Sequence, residues 1–295
     1  MAELALHHPV QRPSRWIAAL RRGGPKLWIG ATLVGVLVLM ALLAPLIAPH
    51  NPIEQDLMSA QLPPAWNDGG EPAYLFGTDS LGRCVLSRLI YSARTAVAVA
   101  LIAASLAAAI GIAFGLLAGS FGGWVDQLTS RLIDVWMAFP PVLLSIVLAA
   151  VIGAGLTSVI TAIVVVDWTR FARVVRAETL VQLQRDYAAA ARVIGLSRGK
   201  ILRLEILPNL VPLLVTLLSV EMGIAILVEV ILSFVGISVT GDTPTWGGMV
   251  AEGRQIVYQA PWIMALPIGC IISSVIGFNL LGDGLRTVLD PVQRR

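Results

Sequence analysis

Long apolar runs broken by short charged segments set the rhythm of this chain. About 20 consecutive apolar residues carry a helix across a bilayer, and six stretches approach that requirement: Leu27 to Ala48, Ala96 to Leu117, Trp136 to Ile152, Leu156 to Val175, Val211 to Val235 and Trp262 to Leu281. No charge falls between Asp134 and Asp167, so the third and fourth runs are continuous in hydropathy. Gly153-Ala154-Gly155 marks the tight turn that divides them. Pro140-Pro141 predicts a kink near the start of the third.

Composition agrees with this pattern. Hydrophobic residues make up 57% of the 295 positions and charged residues only 13%, about half the charged share of a soluble domain. A single helical bundle in a bilayer is expected, all-α and polytopic. The first 26 residues carry five cations and no apolar core, so the run that follows reads as a retained first helix, not a cleaved leader. Cys84 and Cys270 lack metal-ligand or redox spacing and receive no role.

Charge placement predicts orientation. With both termini inside, seventeen Lys and Arg side chains fall on cytoplasmic segments and four, Arg83, Arg88, Arg94 and Arg254, fall outside. The opposite orientation inverts that ratio, so the chain is expected to be N-in and C-in. The resulting layout is a tail over 1–26, a first span over 27–48, and an outer segment over 49–95. A five-helix core over 96–285 follows, then a tail over 286–295. Within the outer segment Leu86, Leu89 and Ile90 form a stripe opposite Arg83 and Arg88, which predicts a helix lying at the interface. Trp246 and Trp262 fit interfacial anchors.

The most unusual inner segment is 182–209, containing DYAAAARVIGLSRGKILRLEILPN. Ala188 through Ala191 favour a helix with a closely approachable surface, and Gly195 supplies a left-handed cap that ends it. Ser197 can cap a second helix, and Pro208 fits the first turn of the fifth span. Two short helices folded about Gly195 would project from the bundle as a knob. A plain basic loop obeying the charge rule is the alternative reading of the same residues.

This stretch resembles the EAA loop of bacterial ABC importer permeases, Glu-Ala-Ala, three residues, Gly, nine residues, Ile-x-Leu-Pro. Ala189-Ala190-Ala191 stands at Glu-Ala-Ala, Gly195 at the glycine and Leu207-Pro208 at the end, while Ala189 replaces the acid and Glu205 the isoleucine. The likeness extends along the chain to the second permease of the dipeptide/oligopeptide type, in the peptide, nickel and opine importer family. Gly77-Thr78-Asp79 with Gly82-Arg83, Ser233-Phe234-Val235-Gly236, Pro244-Thr245-Trp246-Gly247 and Asn279-Leu280-Leu281-Gly282-Asp283-Gly284 match it in order. Cys84 stands where that family has Asp.

The resemblance implies a type I importer permease fold with six transmembrane helices in the bacterial inner membrane. It further implies a homologous permease partner, two cytosolic ATPase subunits that bind ATP and Mg, and a periplasmic or lipid-anchored substrate-binding protein. Lipid surrounds the spans, and nothing points to nucleic acid. Ala189, Ala190, Ala191, Arg192, Gly195, Ser197, Leu207 and Pro208 become the candidate ATPase-coupling residues. No catalytic or metal-ligating residue is expected in this chain. Gly195-Leu196-Ser197-Arg198-Gly199-Lys200 has the wrong spacing for a phosphate loop and no Ser or Thr after the lysine. A di- or oligopeptide is the first expectation for the cargo, with nickel chelates and opines as alternatives.

Three acids fall inside spans, Asp167, Glu221 and Glu229. Charge at that depth faces protein or water. They are candidates for a translocation pathway or gate; Asp167 also has Arg170 three residues away as a structural partner. Glu229 matches an acidic position of the family's fifth span. A proton-coupled secondary transporter would use the same acids but would carry inverted repeats, and no convincing repeat is found. An intramembrane enzyme would need reactive groups at depth, yet His7, His8 and His50 all lie outside the spans.

Overall fold

The computed structural model describes residues 23–238 and 243–289. The arginines of the N-terminal tail and those at 294 and 295 lie outside the described residues. Among the described residues the chain is helical, with one isolated bridge between Thr78 and Cys84. The long helices are α1 (Gly24–Ile47), α2 (Val85–Phe121), α5 (Leu156–Gln182), α8 (Leu207–Phe234) and α10 (Trp262–Leu289). Shorter ones are α3 (Gly123–Met137), α4 (Pro141–Ile152), α6 (Asp186–Val193), α7 (Arg198–Ile201) and α9 (Trp246–Gln255).

Among the described residues, four helices are long and apolar enough to cross a membrane: α1, α2, α10 and the continuous Arg198–Phe234 rod. The bent pair α3 and α4 makes a fifth if counted as one span. The run expected from Trp136 to Ile152 is not straight. Pro140, which has no N–H to donate, precedes α4, and the axes of α3 and α4 meet at 86°. At 12 residues α4 is about 18 Å long, short of a bilayer on its own. By length α5 suffices, but Asp167, Arg170 and Arg173 interrupt its apolar character.

Small residues let the long helices approach closely. On α2, Gly111, Gly115 and Gly119 recur every fourth position and face α5. A methyl on Gly111 would sit 2.4 Å from the Trp168 carbonyl oxygen, and one on Gly115 would sit 2.8 Å from that of Ala172. Ala100, Ala103, Ala104 and Ala107 continue the same small, fully buried surface. Backbone proximity of this kind is how helices gain packing where lipid offers no hydrophobic drive. Gly30 does the same for α1 against Leu281 of α10.

The stretch read from the sequence as a separate interfacial helix is the beginning of α2, which runs unbroken for 37 residues. Two of its arginines do not face water, whereas Arg94 is exposed. Arg83 and Arg88 are 8% and 5% exposed and share the carboxylates of Asp79 and Glu252. Arg83 Nε donates to Asp79 Oδ2 at 2.8 Å, and its Nη2 to Glu252 Oε2 at 2.8 Å. Two cations and two anions therefore close on themselves, joining the 49–84 segment, α2 and α9. Trp246 also differs from the interfacial reading: it is 1% exposed, and its indole N–H donates to the Leu89 carbonyl at 3.2 Å.

Candidate functional site

The segment after α5 folds into the two short helices expected. Helix α6 ends at Val193, and Gly195 adopts φ +83°, a left-handed conformation that reverses the chain. Leu196 N–H then donates to the Ala191 carbonyl and Gly195 N–H to that of Arg192, satisfying carbonyls at the end of α6. Helix α7 continues through a π-helical turn, Leu202–Ile206, directly into α8. The knob is thus continuous with the long α8 and joined by a short turn to α5. Ser197 occupies the position before α7, but its hydroxyl makes no capping bond; its carbonyl accepts from Ile201.

One face of the knob packs on the bundle. Ala188, Ala191, Ile201 and Ile206 form a buried cluster with Val175 of α5 and Leu210 of α8. The opposite face is free: Ala189, Ala190, Arg192, Gly195, Ser197 and Pro208 are exposed, and Leu207 is half-buried. At the tip, Val193 and Ile194 are 86% and 77% exposed. Of the three alanines at the motif position, Ala191 therefore holds the knob to the body while Ala189 and Ala190 face outward. Arg192 Nη2 donates to the Leu183 carbonyl at 2.8 Å, and Tyr187 Oη donates to Gln182 Oε1 at 2.5 Å. Both tie α6 back to the end of α5. Burial pushes the Tyr187 hydroxyl above its ordinary range, so it stays a proton donor.

The three candidate acids occupy two places. Asp167 of α5 and Glu221 of α8 are 2% and 3% exposed and share one cation. Arg170 Nη2 lies 3.7 Å from Asp167 Oδ1, and Nη1 lies 3.5 Å from Glu221 Oε2. Sequence spacing reveals the first contact but not the second, which crosses between helices. Glu229 stands apart, 1% exposed, its Oε1 accepting from Ser233 Oγ at 2.5 Å and Ser238 Oγ at 3.5 Å. Ser238 accepts in turn through its carbonyl from Gly155 N–H at 3.1 Å, linking the end of α8 to the turn before α5. Among the described residues no cation pairs with Glu229.

Two further ion pairs continue along α5. Arg173 Nη2 is 3.6 Å from Asp134 Oδ1, and Arg176 donates through Nε and Nη2 to the two carboxylate oxygens of Asp126. Both acids lie on α3, whose Trp136 indole donates to the Val165 carbonyl of α5 at 2.6 Å. Among the described residues no group of three His, Cys, Asp or Glu side chains could hold a metal.

Residues 111–295 match the family described as binding-protein-dependent transport system inner membrane component. Residues 26–64 match the N-terminal TM domain of oligopeptide transport permease C. The dipeptide transport system permease protein DppC of Haemophilus influenzae is 39% identical over 89% of each chain. The di/tripeptide transport system permease protein DppC of Pseudomonas aeruginosa is 37% identical over 87% of this chain and 84% of its own. The glutathione transport system permease protein GsiD of Shigella dysenteriae is 39% identical over 88% and 84%. With a family match over more than half its length and relatives aligned nearly end to end, the chain belongs to the inner-membrane permease components of binding-protein-dependent transport systems.

Proposed function

We propose that this chain is one permease subunit of an ATP-driven importer of di- and oligopeptides and lines half of the translocation pathway. The observation that carries the reading is the near full-length likeness to dipeptide and di/tripeptide permeases. In this reading the chain crosses the membrane six times with both termini in the cytoplasm, and the bent α3–α4 pair and the charged α5 serve as spans. Charge placement supports that orientation. A homologous permease completes the pathway, a substrate-binding protein delivers cargo from outside, and two ATPase subunits supply ATP hydrolysis with Mg.

Coupling runs through the knob. The exposed face carrying Ala189, Ala190, Arg192, Gly195 and Ser197 meets the ATPase, and Leu207-Pro208 joins that contact to α8. Helix α7 has no loop between it and α8, so a displacement at the knob reaches the span as a rigid-body motion. Asp167, Glu221 and Glu229 line or gate the pathway, and the Glu229–Ser238–Gly155 chain of contacts gives a gate a physical link between α8 and α5.

Reconstitution tests the proposal. The chain is co-expressed with its homologous permease, ATPase subunits and binding protein, and ATP-dependent uptake of Ala-Ala into proteoliposomes is measured. Uptake that needs all components supports it. Uptake by this chain alone, driven by a proton gradient, would establish a secondary transporter instead.

A further inference from the structure

Among the described residues, the Asp167–Arg170–Glu221 group differs from the other buried ion cluster in being left incomplete. At the opposite end, Asp79 and Glu252 meet Arg83 and Arg88 through bonds at 2.6 to 3.1 Å, two anions for two cations. On α5, Arg176 and Asp126 pair one to one. At Asp167 and Glu221, two acids face one guanidinium at 3.5 and 3.7 Å, beyond ordinary hydrogen-bond length. Asp167 Oδ2 and Glu221 Oε1 are buried and accept no hydrogen bond. A buried polar atom without a partner is costly enough to need an explanation.

Position supplies one. Arg170 lies about 21 Å along α5 from Leu156, near the middle of the helix. Its side chain is 34% exposed. Its position falls toward the inner end of the expected Leu156 to Val175 span, where a partly open guanidinium reaches water, headgroups or another chain. The two carboxyls lie within hydrogen-bond reach of each other; a cation carrying several N–H donors would also supply the unpartnered oxygens, and the guanidinium beside it has donors to spare for an anion.

We propose that Asp167 and Glu221 form a subsite for the ammonium group of the cargo, with Arg170 turned to its carboxylate, so that the pathway reads a zwitterion end to end. The inference rests on the peptide-import reading and adds to it the atoms that hold the cargo. When the ammonium enters, the unpartnered oxygens gain its donors and the loosely held Arg170 swings toward the carboxylate.

The test uses the assembled importer with hydrolysis-dead ATPase subunits, locked with ATP after the binding protein has delivered labelled Ala-Ala. Retained label is measured for the unaltered chain, Asp167→Asn, Glu221→Gln and the charge-conserving Glu221→Asp, with millimolar propylammonium as competitor. We expect each neutral variant to retain about tenfold less label, Glu221→Asp to hold more than Glu221→Gln, and propylammonium to displace label from the unaltered chain. The subunits should co-purify throughout. Unchanged retention, label indifferent to propylammonium, or an unaltered complex that retains none overturns the subsite. Loss of the partner permease on neutralisation also overturns it, because the acids then serve a basic residue of that partner. Uptake by the unaltered importer, run in parallel, separates the two proposals: no ATP-driven uptake defeats peptide import itself, whereas uptake without an effect of the substitutions defeats only the subsite.

Discussion

Arg88 donates to both carboxylate oxygens of Glu252, at 2.6 and 3.1 Å, across 164 residues of chain. The pair joins the first turn of α2 to α9, and Arg88 contacts Asp79 as well. This clasp is the main polar link between the segment before α2 and the loop helix that precedes α10. It fixes one end of the bundle, while the knob around Gly195 follows α5, whose end packs on the far end of α2.

Arg88→Ala should therefore destabilise the protein strongly. Removing one partner of a buried ion network costs about 3–5 kcal/mol because the remaining charge is left unpaired. Glu252→Gln should cost less, since the Glu252 side chain is 35% exposed and can recruit water. Thermal denaturation in detergent checks the order. Equal losses would mean the clasp is not held by charge.

Gly195 is a conformational requirement and not a packing one. A methyl placed there meets no atom within 4 Å, but φ +83° strains any β-branched residue by about 1–2 kcal/mol. Gly195→Val should leave the subunits co-purifying and lower peptide uptake about tenfold at unchanged ATP hydrolysis. Gly195→Asn, which tolerates the left-handed region, should keep most of the uptake. Loss of assembly in the valine variant would count against a coupling role.

Two glycines give opposite outcomes for the same change. Gly111→Ala drives a methyl to 2.4 Å from the Trp168 carbonyl and should separate α2 from α5, costing about 1–3 kcal/mol. Gly35→Ala on α1 meets nothing within 4 Å and should be neutral or stabilising by about 0.5–1 kcal/mol through helix propensity. Paired melting curves decide it, and similar shifts for both would contradict the close α2–α5 contact.

Tyr187→Phe removes the bond to Gln182, which itself donates to Glu178 at 2.8 Å. The expected loss is about 1 kcal/mol, typical of a single hydrogen bond. It should show as several-fold faster amide exchange confined to 183–193, with α8 unchanged. Uniform exchange across the bundle would indicate global destabilisation instead.

How far each feature was legible follows from the range of the interaction behind it. The long helices, the Gly153–Gly155 turn and the fold-back at Gly195 rest on neighbours within a few residues, so composition, glycine and proline placement sufficed. The recurrence of Gly111, Gly115 and Gly119 is an equally local signal of a close-packing stripe, one that hydropathy alone passes over. Asp167 with Arg170 was readable because three residues bring side chains together on a helix.

The sequence by itself determined a helical membrane chain, its candidate acids and the two-helix shape of its knob, because local propensity and hydropathy carry that information. Only the tertiary structure decided that α2 begins as early as Val85 with Arg88 buried, because its partner Glu252 reaches it across 164 residues of chain. It also turned the third run through 86° at Pro140, a size of bend that proline alone does not specify. Arg170 had one visible partner three residues away. Its second, Glu221, is brought within reach by the packing of α5 on α8, a long-range relationship that no local pattern encodes.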